Sequence, residues 1–129
     1  MRIFIYNCME NVYYLERTRN SPEIYIDYDN KTVRMVGRCI MEDSHIFFVD
    51  LLQKLVDIDN LKFILELEYL NSSSLKHLIA LLRSELSVND VEWYYSEEDF
   101  DIEEKGKDIK EIVEEHHPNI KFILIKKPR

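Results

Sequence analysis

Between Ile24 and Val36 the chain alternates apolar and polar residues with a period of two. Ile24, Ile26 and Tyr28 fall on one side and Tyr25, Asp27 and Asp29 on the other; Val33 and Met35 resume the pattern after Asp29-Asn30-Lys31. Successive strand side chains point to opposite faces of a sheet, so both runs predict strands with one buried face. The turn-forming triplet between them predicts a hairpin. An aromatic and branched run, Val12-Tyr13-Tyr14-Leu15-Glu16, predicts an earlier strand, separated by the break at Ser21-Pro22. Gly37 is expected to end the second hairpin strand.

Downstream, helical and strand periods take turns. Asp43 and Ser44 are candidate N-caps for a helix carrying Phe47, Phe48, Leu51, Leu52 and Leu55 on one stripe. Leu61 to Leu70 is the longest strand candidate, with Phe63, Leu65, Leu67 and Tyr69 alternating against Lys62, Glu66 and Glu68. Ile64 breaks the polar side and predicts partial cover on both faces. After Asn71 the period changes to that of a helix, with Leu75, Leu78, Ile79, Leu82 and Leu86 as its stripe. Val91, Trp93 and Tyr95 predict another strand. Ile102, Ile109, Ile112 and Val113 predict a third helix despite Gly106, stopped by Pro118. Ile120, Phe122 and Leu124, interleaved with Ile123 and Ile125, form a last strand before a basic tail. The order β-β-β-α-β-α-β-α-β predicts an α/β fold with crossover connections. Its mixed sheet has about five to six strands, with about three helices packed on it.

Composition narrows the classes available. A length of 129 residues suits one domain, and 46% hydrophobic residues suffice for its core. The net charge of −8 argues against a broad basic surface for nucleic acid or anionic lipid. Cys8 and Cys39 match no metal or redox spacing and imply a reducing compartment, hence the cytoplasm. No stretch approaches the ~20 apolar residues of a membrane helix. Met1-Arg2-Ile3-Phe4-Ile5-Tyr6 is too short for a signal segment. Neither a Walker loop nor a dinucleotide fingerprint is present, and no cofactor or metal site is expected.

The candidate chemistry begins at Asn71-Ser72-Ser73-Ser74-Leu75-Lys76, where a strand feeds directly into a helix. Backbone amides in the first helical turn lack intrahelical partners, and a serine hydroxyl there can cap one of them. The same amides and the helix dipole also suit a phosphoryl group, and Lys76 lies one turn on to screen it. Composition and spacing leave both readings open for all three hydroxyls. Ser73 and His77, four residues apart, suggest a nucleophile and base. Glycines at 37 and 106 alone leave no glycine-framed elbow for such a serine, and His77 reads as a surface helix residue. The acidic run Glu97-Glu98-Asp99-Phe100-Asp101-Ile102-Glu103-Glu104 lacks the form of a calcium loop. It reads as a solvated face at a helix N-terminus, with a partner surface as the alternative. His116-His117 before Pro118 suits a helix C-terminus, and Trp93-Tyr94-Tyr95 combines core and rim roles.

Ser21-Pro22-Glu23-Ile24, Tyr69-Leu70-Asn71-Ser72-Ser73-Ser74-Leu75-Lys76 and Val91-Glu92-Trp93-Tyr94-Tyr95-Ser96-Glu97-Glu98-Asp99, in this order, resemble the SiaC family of bacterial regulatory phosphoproteins. The resemblance runs from about Met9 to Ile125. It implies a single STAS-like domain over residues 1–129, with 1–8 as an N-terminal extension or an upstream start. It also implies phosphorylation of the hydroxyl residue after Leu-Asn, here Ser72, with Ser73 as second choice. The resemblance further implies that a Ser/Thr kinase of the histidine-kinase-like ATPase type adds the phosphate and a PP2C-type phosphatase removes it. The unphosphorylated protein is expected to bind and activate a diguanylate cyclase, raising cyclic di-GMP and promoting biofilm. The expected partner contacts are Asn71, Ser73, Ser74, Lys76, Glu42 and Asp43. The family usually has Thr at the position of Ser72, and a Tyr-Pro-Glu-Asn element where this chain has Ile40-Met41-Glu42-Asp43. The competing expectation is a constitutive STAS-like adaptor or ligand-sensing module without phosphoregulation.

Overall fold

A computed structural model describes residues 3–4 and 11–128. Among these, the chain forms seven strands and three helices: β1 (Ile3–Phe4), β2 (Val12–Leu15), β3 (Glu23–Asp27), β4 (Thr32–Cys39), α1 (Ser44–Leu55), β5 (Leu61–Leu70), α2 (Ser72–Leu82), β6 (Val88–Tyr95), α3 (Phe100–His116) and β7 (Lys121–Lys126). All seven strands join one sheet, in sequence order from β1 to β7. Pairing is antiparallel from β1 to β4 and parallel from β4 to β7. The expected mixed α/β sheet with three helices is present. The short β1 adds a strand that its apolar letters alone did not distinguish from an extension. Cys8 and the rest of the proposed extension lie outside the described residues.

Alternation decides which side of the sheet is core. Leu61, Phe63, Leu65 and Leu67 of β5 are buried, as are Val33, Met35 and Cys39 of β4 and Val91 and Trp93 of β6. Phe47, Phe48, Leu51 and Leu55 of α1, Leu78, Leu81 and Leu82 of α2, and Ile102, Ile109 and Val113 of α3 join the same cluster. The helices therefore cover one face, and the other face is polar. There Arg34 meets Glu66 at 3.4 Å and Lys62 meets Glu92 at 3.1 Å. Ile64 lies on this open face between Arg34 and Glu92 in the register. Its partial burial comes from cross-strand neighbours, not from a second layer of helices.

Two features differ from expectation, and a third has a reason the sequence did not show. Gly37 does not end β4. The strand runs on to Cys39 through a register shift between Gly37 and Arg38, and Gly37 takes a φ of +124° that a side chain would resist. Leu86 is buried but lies beyond α2, in the connection to β6, so its place in the helical stripe was a coincidence of spacing. Gly106 sits inside α3 because the helix crosses Trp93 closely. A Cβ there would clash with Nε1, Cδ1 and Cε2 of the indole, whose Nε1–H donates to Ile102 O at 3.0 Å. Trp93 is thus wholly core, while Tyr94 and Tyr95 remain half-buried.

Candidate functional site at the β5–α2 junction

The three serines after Asn71 occupy different environments. Asn71, extended at φ −80° and ψ 169°, is the N-cap of α2, and its Oδ1 accepts from Ser74 N at 2.9 Å. The cap is therefore the asparagine, and no serine hydroxyl is needed for it. Asn71 Nδ2 donates to Met41 O at 3.3 Å, and Asn71 N donates to Cys39 O at 3.1 Å. These bonds hold the loop carrying Glu42 and Asp43 against the junction. Both carboxylates are exposed; Asp43 stands at the start of α1 without a side-chain cap bond.

Ser72, the first residue of α2, is exposed; Ser73 is half-buried; Ser74 is fully buried. The Ser74 hydroxyl faces inward beside Cys39. Burial pushes the Cys39 thiol up to about 11, against a smaller opposing effect of that hydroxyl. Ser74 therefore shapes the junction from within and presents no side chain to a partner.

Ser73 Oγ pairs with Ser44 Oγ at 2.8 Å, and Ser44 Oγ pairs with His77 Nδ1 at 2.7 Å. The two hydroxyls and the imidazole form a relay between α1 and α2, its direction set by the imidazole tautomer. His77 is thus not a plain surface residue. The hydroxyl it touches is the wholly buried Ser44, and the groove that His77 lines with His45 does not include Ser73. A nucleophile needs both an oriented base and access to substrate, and this pair is not assembled that way.

Lys105 of α3 is the residue that sequence reasoning missed. Its ammonium donates to Leu70 O at 2.8 Å and to Asp101 Oδ2 at 2.7 Å. It brings a cation to the residue just before Asn71-Ser72. The i,i+4 spacing of Asp101 and Lys105 was the available signal, since it turns the lysine along the helix toward its N-terminus. The acidic run is largely engaged in the same way. Asp99 caps α3 through Ile102 N at 3.0 Å, Lys107 lies 3.4 Å from Glu103 and 3.5 Å from Glu104, and Glu97 lies 3.6 Å from Lys126. His116 and His117 close the far end of α3 onto Arg83, through its guanidinium at 2.7 Å and its carbonyl at 3.1 Å.

Ser72 also lines one end of a surface groove of about 510 Å³ between α2 and α3. Leu75, Ile79, Ala80 and Ile112 supply its apolar walls, and Lys76 and Arg83 its cations. On the other side of α2, Phe48, Val49, Leu52 and Leu81 line a smaller groove of about 140 Å³ with His45 and His77. The expected residues Asn71, Ser72, Ser73, Lys76, Glu42 and Asp43 are therefore grouped around one helix N-terminus. No helix among the described residues is long and apolar enough to cross a membrane.

The fold has solved relatives. A chain in the crystal structure of diguanylate cyclase SiaD in complex with its activator SiaC, from Pseudomonas aeruginosa, superposes with a TM-score of 0.72. Identity is 21%, over 88% of this chain and 98% of that one. SiaC of Pseudomonas aeruginosa gives 0.70 at 20% identity, over 90% and 98%. Its apo crystal structure gives 0.68 at 22%, over 88% and 97%. At these identities the likeness shows the fold. Comparison with curated proteins finds no match. A sequence model described as "SiaC family regulatory phosphoprotein" matches residues 15–123, so this chain belongs to the SiaC family.

Proposed function

We propose that this protein is a phosphorylation-switched binding module, modified on Ser72, that engages and activates a diguanylate cyclase when unmodified. The observation that carries this reading is the position of Ser72. Its hydroxyl is exposed in the first turn of α2 and forms one end of the apolar groove between α2 and α3. A partner seated there meets a small neutral group in one state and a dianion in the other.

The local chemistry supports phosphate on this residue. First-turn amides and the helix dipole favour an anion, and Lys105 and Lys76 add positive charge nearby. On this reading the cost of the modification falls on the interface, where a dianion would have to be desolvated against apolar walls. Ser73 is the weaker acceptor because its hydroxyl is already bonded to Ser44.

The enzymes acting on the switch are a histidine-kinase-like ATPase kinase and a PP2C-type phosphatase. The kinase transfers the γ-phosphoryl group of ATP to Ser72 Oγ, releasing ADP as the hydroxyl proton passes to a base. The phosphatase hydrolyses the ester. Asn71, Lys76, Glu42 and Asp43 border the proposed contact. The setting is bacterial, cytoplasmic and linked to cyclic di-GMP and biofilm.

The test combines mass spectrometry after co-expression with the kinase and binding measurements on the cyclase. Ser72→Ala is expected to bind as wild type does and to take no phosphate. Ser72→Asp and the phosphoprotein are expected to bind at least tenfold more weakly, about 1.4 kcal/mol. Unchanged cyclase binding by both, with no phosphate on Ser72, would leave the constitutive adaptor as the better description.

A further inference from the structure

The outer edge of the sheet at β7 has the chemistry of a strand-acceptor site. Among the described residues, β7 pairs with β6 alone and ends the strand order. Lys127 N donates to Tyr95 O at 2.8 Å, and the register joins Tyr95 to Lys126 without a shift along β6 and β7. In such a parallel ladder the odd residues of β7 direct their backbone groups to β6, and the even residues direct theirs away. Phe122, Leu124 and Lys126 therefore present amides and carbonyls to the free edge. Lys110 caps one of these, the Phe122 carbonyl, at 2.9 Å.

Exposed edges are ordinarily blunted by proline, bulges or charge. From Lys121 to Lys126 this edge has no proline and no bulge, and Ile123 is 37% exposed on the open face. Charge is the one device present. Lys121, Lys126 and Lys127 bracket the apolar centre in a chain whose net charge is −8. The pair of Lys126 with Glu97 joins two half-exposed side chains at 3.6 Å, a contact that water screens.

These lysines select between occupants. A second copy, antiparallel and fully overlapped about Leu124, would set Lys121 opposite Lys127 of the copy twice, which like charge disfavours. A segment with acidic ends and apolar residues at every second position meets complementary charge at both ends and, between them, the outward backbone groups that Lys110 does not cap. We infer that the β7 edge is a docking site for an extended, acid-flanked partner segment, added as an eighth strand. This surface does not involve Ser72, so it stands apart from the phosphorylation reading.

The test uses full-length protein and the synthetic peptide Asp-Val-Thr-Val-Thr-Val-Asp, with the Lys-flanked version as control. Titration followed by amide NMR is expected to shift Phe122, Leu124 and Lys126 and to slow their exchange. The Lys-flanked peptide is expected to bind at least tenfold more weakly. Lys121→Glu with Lys126→Glu should invert that preference, and Leu124→Pro, which deletes an outward donor, should weaken both peptides tenfold. Should the proline variant fail to fold, the charge reversal decides by itself. Shifts centred on α2, equal binding of the two peptides, no shift at millimolar peptide, or a dimer paired through β7 would each overturn the inference.

Discussion

The Ser44 hydroxyl lies 2.7 Å from His77 Nδ1, joining the first residue of α1 to the second turn of α2 through a bond that neither helix pattern contains. Ser44 is fully buried and also pairs with Ser73, so Ser44→Ala leaves two polar partners unsatisfied in a partly desolvated place. The expected cost is about 1–3 kcal/mol in urea unfolding. Ser73→Ala should cost less, because Ser44 and His77 keep each other. Equal costs for the two would show that the bond to His77 contributes nothing separable.

Asn71 does two jobs with one amide. Its Oδ1 caps α2 through Ser74 N, and its Nδ2 holds the Met41 carbonyl. Asn71→Ala is expected to lose about 1–2 kcal/mol, whereas Asn71→Asp keeps the cap acceptor and loses only the donor to Met41. Denaturation curves of both variants check this, and an aspartate no better than alanine would reject the capping role.

Gly106 is the position where a small change should be felt most. Alanine ordinarily gains about 1 kcal/mol over glycine in a helix interior. Here its methyl would press into Trp93 and strain the indole bond to Ile102 O, so overpacking of about 1–3 kcal/mol should exceed the helix gain. Trp93 is the sole tryptophan, and its fluorescence reports the disturbance directly. A stabilised Gly106→Ala protein with unchanged emission would contradict the packing.

How much of this was legible beforehand depended on whether a contact left a local trace. The period-two run at Ile24 to Met35 and the stripe Leu75, Leu78, Leu82 reflect repeated burial on one side, and repetition is readable from one chain. The sequence reading gave the cap of α2 to a serine hydroxyl, because three of them follow Asn71, and only the backbone geometry shows that Asn71 takes that place. Ser44–His77 spans 33 residues and Lys105–Leu70 spans 35; the Asp101–Lys105 spacing hints at the lysine's direction, but no local spacing names the distant partner in either pair. Gly106 looked like a helix defect because the indole that requires it comes from another strand.

Cys39 offers a prediction in pH. Its thiol is raised from 9.0 to about 11, chiefly by burial. The folded chain therefore holds a proton that the unfolded chain releases between these values. Stability from this group is fully present below about pH 9 and is lost as pH rises through about 11. Urea midpoints should fall across that window, and Cys39→Ala should flatten the fall. Thiol reagents at pH 8 should react slowly with native Cys39 and quickly after unfolding. Rapid native labelling would mean that this thiol is open to solvent.

Lys105 tests whether the fold anticipates phosphate at the junction. Its ammonium already donates to the Leu70 carbonyl at the end of β5, with its side chain 24% exposed and Asp101 as counter-ion. Lys105→Met should cost the unmodified protein about 1–2 kcal/mol, the scale of a hydrogen bond to a charged group. Phosphate on Ser72 places a dianion two residues further along the chain, where the ammonium gains a second attraction. The same substitution should then cost the phosphoprotein about 1 kcal/mol more, a difference that added salt reduces. Thermal unfolding of the four species, wild type and variant with and without phosphate, isolates this coupling. Equal costs in both forms would put Lys105 beyond reach of the phosphate and leave the helix amides and Lys76 to hold it.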